Sequence, residues 1–182
     1  MAEARACLKQ LRERMAAFNL ELHTGKTRLI EFGRFAAANR KRQGKGKPET
    51  FDFLGLTHFC DKMRTNGRFI VGRKTQSKRM RAKLQEIKAE LPRRMHAPVP
   101  ETGRWLRSVE QGYYNYHAVP RNLLMMKRFT RAVLRCWWKS LRRRSHKSNC
   151  DWHRFYTRLA RRWMPALRIM HPYPERRLCV TT

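Results

Sequence analysis

The chain has 182 residues, 41% hydrophobic and 10% aromatic, enough to bury the core of one domain or of two small ones. Its 43 Lys and Arg against 13 Asp and Glu give a net charge of +30, so we expect a polyanionic partner, nucleic acid rather than an anionic membrane surface. Five irregularly spaced cysteines, and the lack of any run of about 18 apolar residues, argue against a disulfide-rich secreted protein and a membrane-spanning one.

The first part of the chain predicts a helix followed by short strands. Apolar residues at helical spacing over 3–18 favour an amphipathic helix whose other faces carry Arg and Lys. Residues 20–22 and 29–32 favour a short pair of strands on either side of a turn. The basic, glycine-containing stretch 39–48 has no core-forming residue, and we expect it to be a loop.

Hairpin signals come next in the chain. Residues 51–59 favour a strand, in which Gly55 marks a position that another group approaches closely. The dipeptide Asn66-Gly67 lies between apolar runs and is a strong signal for a tight hairpin turn, with Phe69 opening the second arm. The sequence therefore predicts a small antiparallel sheet before residue 74.

From Ser77 onward the apolar period becomes helical. Four helices are expected, at 77–91, from 102 to Pro120, at 121–144 and at 150–164. The predicted fold class is α+β. It comprises a small piece of helix and hairpins at 1–73, an all-helical domain at 74–165 and an irregular tail at 166–182.

Aromatic side chains are frequent in these helices. Trp105 and Tyr113 fall on the inward stripe of the second helix, so we expect them in the core. Tyr114 falls off that stripe and is the better candidate for stacking on an unpaired RNA base. Trp152 and Tyr156 fall on the apolar stripe of the fourth helix.

Basic residues form a surface of one sign. No acidic residue lies between Glu110 and Asp151, although ordinary solvated helices mix charges because like charges one turn apart repel. An external polyanion would supply the missing balance. The candidate phosphate contacts are Arg79, Arg81, Lys83, Arg128, Arg131, Arg135, Lys139, Arg142, Arg143 and Arg144.

Residues for independent catalysis are not evident. A polymerase needs two metal-binding carboxylates close together, yet Asp52, Asp61 and Asp151 are far apart in the sequence. No glycine-rich phosphate-binding loop and no serine–histidine–aspartate pattern is visible, and no cofactor is expected. His146, Cys150 and His153 would share one helix face, but we expect no metal there, because a structural zinc site usually needs four ligands.

Three segments resemble, in order, the C-terminal part of group II intron reverse transcriptases and maturases. Residues 20–27, which end in Lys26-Thr27, are similar to the block that follows the catalytic aspartate hairpin. Phe53-Leu54-Gly55-Leu56 is similar to the primer-grip hairpin, usually Phe-Leu-Gly-Phe. Residues 76–147 are similar to the thumb and maturase domain, most specifically at Trp105 and at the Gly-Tyr-Tyr-Asn-Tyr run of 112–116.

The resemblance implies a remnant of the palm at 1–73 and a thumb and maturase-specific domain at 74–165. Met1 would then lie downstream of the polymerase aspartates, and Lys26, a palm lysine in intact enzymes, would be vestigial together with Phe53, Leu54 and Gly55 of the primer-grip motif. Thr24 and Gly25 depart from the family pattern, which has Pro and an acidic residue there.

The function that the resemblance implies is binding of group II intron RNA as a splicing cofactor, without catalysis by this chain and within a bacterial cytoplasm or nucleoid. Three alternatives stay open. The chain is the C-terminal half of a split RNA-directed DNA polymerase, completed by a separate fingers and palm polypeptide and exposing an apolar surface to receive it. It is the inert product of a decayed mobile element, or it is a generic basic nucleic-acid-binding protein.

Overall fold

The computed structural model describes residues 2–144 and 151–173, and its mixture of helices with one antiparallel sheet confirms the α+β class. The N-terminal part contains helix α1 (Ala2–Ala17), helix α2 (Ala36–Arg42) and strands β1 (Phe51–Phe53), β2 (Leu56–Lys62) and β3 (Phe69–Thr75). Helices α3 (Ser77–Arg93), α4 (Val99–His117) and α5 (Leu123–Arg142) follow. The last helical segment consists of α6 (Trp152–Arg154), a π-helical stretch (Phe155–Ala160) and α7 (Arg161–Trp163).

Helix α1 forms as predicted, but the strand pair at 20–22 and 29–32 is wrong. These residues are irregular, with one turn in which the backbone N–H groups of Lys26 and Thr27 donate to the carbonyl oxygen of His23. The backbone N–H of Glu31 donates to the Glu49 carboxylate at 2.7 Å, so a side chain takes the donor that a strand ladder would use.

Part of the predicted loop 39–48 is also helical. Helix α2 begins in an alanine run, and alanine is the best helix former. Gly44 then has a φ of +65°, a conformation that commonly follows the end of a helix. The helix therefore stops within the basic stretch, and the rest of it has no regular structure.

The sheet has the order β1-β2-β3, with both neighbouring pairs antiparallel. The single strand predicted at 51–59 is wrong, because a two-residue turn divides it. Leu54 and Gly55 in this turn have φ angles of +46° and +73°, the positive values at both central positions that a type I′ hairpin turn requires. The hairpin predicted at Asn66-Gly67 is confirmed, since β2 and β3 pair from Leu56 opposite Thr75 to Lys62 opposite Phe69.

Helices α3, α4 and α5 and the 152–163 segment enclose the main core. Leu106, Met126, Phe129, Trp137 and Phe155 are fully buried there. After α7, residues 164–173 form no helix or strand, and residues 174–182 of the irregular tail predicted at 166–182 lie outside the described residues.

Asn122 joins the sheet to the helices. Its buried amide accepts from the Thr75 backbone N–H at 2.9 Å and donates to the Thr75 hydroxyl at 2.8 Å and to the His117 carbonyl at 2.7 Å. Tyr116 on α4 donates its hydroxyl hydrogen to the Leu54 carbonyl at 2.6 Å. The predicted boundary between 73 and 74 falls inside β3, and these bonds hold the hairpins against the helical part.

The side chain of Arg79 lies close to Gly55, which agrees with the close contact that the sequence indicated. An added Cβ atom there would lie 3.1 Å from Cδ of Arg79, and the φ of +73° already disfavours a side chain. The hairpin turn therefore lies directly against the first turn of α3.

Candidate nucleic-acid interface

Helix α5 presents one continuous basic face. Arg128, Arg131, Arg135, Lys139 and Arg142 recur at intervals of three and four, which places them on one side of the helix. All five are exposed, and α5 contains no acidic residue. At about 1.5 Å per residue the row is about 21 Å long.

The opposite side of α5 explains why this face points outward. Met126, Phe129, Val133 and Trp137 are completely buried. Burying these side chains stabilises one rotational setting of the helix and leaves the arginines in water. Hydrophobic packing therefore orients the basic row.

A groove of about 990 Å³ runs along one edge of this face, between α5 and the segment 152–167. On the α5 side its wall is formed by Leu124, Lys127, Arg128, Thr130, Arg131 and Leu134, and Tyr114 of α4 also lines it. On the other side lie Trp152, Tyr156, Ala160, Arg161, Met164, Pro165, Ala166 and Leu167. The residues that line it include four cations and, within the described part of the chain, no acid.

Trp152 and Tyr156 form the aromatic part of the groove. Their rings are nearly parallel, at 22°, with centroids 6.2 Å apart. Trp152 also packs edge-on against Trp138 and tilted against Phe155, which fixes its plane. Tyr156 is 45% exposed and so presents a ring to any ligand in the groove.

The inward position expected for Tyr156 is wrong, and the π-helical stretch gives the reason. Extra residues per turn between Phe155 and Ala160 break the 3.6-residue register on which the apolar stripe was counted. Phe155 and Ala160 take the fully buried positions instead. The groove residues Trp152, Tyr156 and Arg161 were absent from the sequence-based site, because only the packing of this segment on α5 brings them beside it.

The expectation that Tyr114 offers a ring for base stacking is wrong. Its side chain is 1% exposed, and its hydroxyl bonds to Glu110 on α4 and to Thr130 on α5. Tyr113 is also buried and stacks on Phe129 at 3.7 Å between centroids, as expected of a core residue. Two successive tyrosines are buried because both face α5, Tyr113 through the Phe129 ring and Tyr114 through the Thr130 hydroxyl.

Glu110 is fully buried beside Tyr114. Burial raises the pKa of Glu110 from 4.5 to about 7, against the opposing effect of the Tyr114 hydrogen bond. On the same helix, burial and the charge of Arg79 lower the pKa of His117 to about 4. Both groups are buried on α4, and neither lines the groove beside the basic row.

Other predicted phosphate contacts differ in their surroundings. Arg79, Arg81 and Arg143 are exposed, whereas Lys83 pairs with Glu86 at 2.7 Å. Arg144 is half-buried and donates to the carbonyl oxygens of Arg94 and Ala97, at 3.3 and 2.9 Å. Arg144 is thereby engaged in holding the turn between α3 and α4, so its guanidinium is not freely presented to a phosphate.

The residues that resemble palm motifs lie on a different part of the molecule. Lys26 is exposed in the 24–26 turn and lines a smaller cavity with Arg28 and Asp52. Phe53 and Leu54 are 59% and 66% exposed at the tip of the β1-β2 hairpin. They are not among the residues that line the groove.

The three aspartates have separate local contacts. Asp52 accepts from Thr57 at 2.5 Å, Asp61 bonds to Arg121, and Asp151 caps the backbone N–H of Arg154 at 2.6 Å. Among residues 2–144 and 151–173, no three His, Cys, Asp or Glu side chains gather where they could hold a metal ion. His146 and Cys150, from the candidate histidine–cysteine set, lie outside the described residues.

Within the described ranges, no helix combines the length and the apolar character needed to cross a membrane. Comparison of the chain with protein-family models, with curated proteins and with solved structures gives no match.

Proposed function

We propose that this protein binds structured RNA as a group II intron maturase-type splicing cofactor and performs no catalysis of its own. RNA binding is supported by one observation, the exposed basic row on α5, a helix without an acidic residue. The row consists of Arg128, Arg131, Arg135, Lys139 and Arg142. The maturase assignment is supported by the sequence resemblance over the thumb region. The bacterial cytoplasm or nucleoid, where such an intron is transcribed, is the proposed compartment.

The physical basis of binding is neutralisation of backbone phosphates. Each Lys or Arg that contacts a phosphate releases a condensed counterion, so affinity falls steeply with salt. A rigid helix can hold several cations in a fixed row without the entropy cost of ordering a loop. The core packing of α5 supplies this rigidity, because four side chains on its inner side are completely buried.

The binding test compares the host's group II intron RNA with an unrelated structured RNA and duplex DNA at two salt concentrations. The variant replaces Arg131, Arg135 and Arg142 by Gln. Its matched control replaces Arg5, Arg12 and Arg14 on α1 by Gln. These arginines are also exposed, and their replacement removes the same number of positive charges. We expect the α5 variant to reduce the slope of log affinity against log salt by about 2 to 3, and the α1 variant to change it little.

Equal loss of slope in both triple variants would contradict a defined interface on α5 and leave only general attraction by net charge. The maturase part of the proposal is tested separately, by splicing of the intron RNA at a magnesium concentration too low for efficient self-splicing. The protein should raise the splicing rate. RNA binding without any such increase would remove the splicing role while leaving the interface intact.

A second candidate function is supported by exposed apolar side chains in the N-terminal part. Phe18, Leu20, Phe35, Phe53 and Leu54 are each at least 59% exposed. Such side chains suit a surface that receives another polypeptide, here the fingers and palm part of a split RNA-directed DNA polymerase. Primer extension by the two polypeptides together, but by neither alone, would establish this function. Extension that is unchanged when this protein is added would exclude it.

A further inference from the structure

We infer that the groove between α5 and the 152–167 segment binds unpaired nucleotides of an RNA strand, with a base stacked on Tyr156 and its phosphates held by Arg128, Arg131 and Arg161. This inference depends on the proposed RNA binding and adds to it the kind of strand that is bound and an adjoining groove, which shares Arg128 and Arg131 with the basic row. It separates two tasks, since the exposed row on α5 contacts phosphates of any RNA, whereas the groove admits only a strand whose bases are free.

The volume and the lining of the groove fit this ligand. A volume of about 990 Å³ is near the upper end of the ~300–1,000 Å³ that small-ligand sites occupy, which leaves room for more than one nucleotide. Its lining combines aromatic rings and aliphatic side chains with cations. A base has an apolar face and a nucleotide has an anionic backbone, so both chemical features of the groove are matched.

The aromatic side is prepared to stack. Tyr156 lies nearly parallel to Trp152, and Trp152 is held by Trp138 and Phe155. Because this support fixes the rings before a ligand arrives, little side-chain entropy is lost when a base stacks on the exposed Tyr156 ring. Aromatic stacking accepts every base, so this contact selects unpaired over paired strands rather than one sequence.

The cationic side explains why an RNA strand is favoured over an apolar peptide. Lys127, Arg128 and Arg131 approach the groove from α5, and Arg161 approaches it from α7. These cations lie on both walls, and a polyanion between them would be contacted from two sides. A paired duplex cannot make the stacking contact with Tyr156, because the faces of its bases are covered by the neighbouring base pairs.

The test uses a labelled single-stranded RNA of about 12 nucleotides, within the range that one single-strand-binding fold occupies, and the blunt duplex of the same sequence. Affinities of the full chain are measured by fluorescence anisotropy. Tyr156→Leu keeps an apolar side chain but removes the aromatic face, and Tyr156→Phe keeps that face. Tyr173→Leu is the matched control, since Tyr173 is 50% exposed and does not line the groove.

We expect Tyr156→Leu to weaken single-strand binding by about 5- to 100-fold, as for one lost base stack, and to leave duplex binding within about twofold. Tyr156→Phe and Tyr173→Leu should bind both ligands like the unchanged protein. Circular dichroism will test whether each variant is folded. Because Tyr156 is half exposed, its replacement should remove little core packing.

Equal affinity of Tyr156→Leu and the unchanged protein for the single strand would overturn the groove assignment while leaving RNA binding by α5 intact. Failure of the unchanged protein to bind either RNA would instead overturn the proposed function itself. Poly-glutamate that displaces the single strand from the unchanged protein as effectively as unlabelled RNA would also overturn the assignment, because a peptide polyanion offers no base to stack.

Discussion

Replacing Glu110 by Gln should stabilise the protein at neutral and alkaline pH. The carboxylate is fully buried on α4, and its pKa of about 7 exceeds the ordinary value of 4.5. The folded state therefore binds more protons than the unfolded state between these two values. Stability from this group is complete below pH 4.5 and is lost as the pH rises towards 7 and beyond.

The size of the effect follows from the shift in pKa. At about 1.4 kcal/mol per pKa unit, ionising Glu110 in the folded state costs about 3 kcal/mol by pH 8. In a chain of this size the change corresponds to about 6–12 °C in melting temperature. Glutamine is neutral at every pH and can still accept the hydrogen bond from Tyr114, so Glu110→Gln should recover most of this free energy.

His117 produces the opposite slope. Its pKa is lowered from 6.5 to about 4, so stability from this group is present above pH 6.5 and is lost as the pH falls through 4. In the unchanged protein the two effects oppose each other between pH 4.5 and 6.5. Removing Glu110 should therefore reveal a stability that rises with pH across this interval.

The assay is urea unfolding followed by tryptophan fluorescence at several pH values from 4 to 8, for the unchanged protein and for Glu110→Gln. The difference in unfolding free energy cancels all other titrating groups. It should be small near pH 4 and grow to about 3 kcal/mol by pH 8. A difference that stays constant over this range would refute the reasoning, since it would mean that Glu110 ionises in the folded chain as it does in the unfolded one.

Three further predictions concern packing and hydrogen bonding. A Cβ atom at Gly103 would lie 2.7 Å from the Trp163 ring, so Gly103→Ala should destabilise the protein by about 1–3 kcal/mol. Gly112 on the same helix faces open space, so Gly112→Ala should stabilise the protein by about 0.5–1 kcal/mol. Urea unfolding measures both changes. Asn122→Ala leaves Thr75 N–H and the His117 carbonyl without their partner and should cost about 2–4 kcal/mol, against almost nothing for the exposed Asn39→Ala. Tyr116→Phe removes only the exposed bond to Leu54 and should cost about 1 kcal/mol or less; a loss as large as that of Asn122→Ala would contradict this ranking of the two contacts.

Local patterns predicted much of the secondary structure. The helical period over 77–91 and 121–144 and the Asn66-Gly67 turn each gave the observed element, because propensity, periodicity and turn chemistry agree there. The strand pair at 20–22 and 29–32 failed for the opposite reason. Its apolar residues have the right period, but a strand needs a partner ladder, and the Glu49 carboxylate takes the backbone donor of Glu31 instead.

Some features of the candidate site were likewise predictable from the sequence, and others were not. The sequence alone determined the basic row on α5, because its spacing and the lack of acids from 111 to 150 are properties of the chain itself. The burial of Tyr114, the exposure of Tyr156 and the engagement of Arg144 were decided only by the tertiary structure. Each depends on which neighbouring helix covers a given face, and on the change of register in the π-helical stretch, neither of which a helical period encodes.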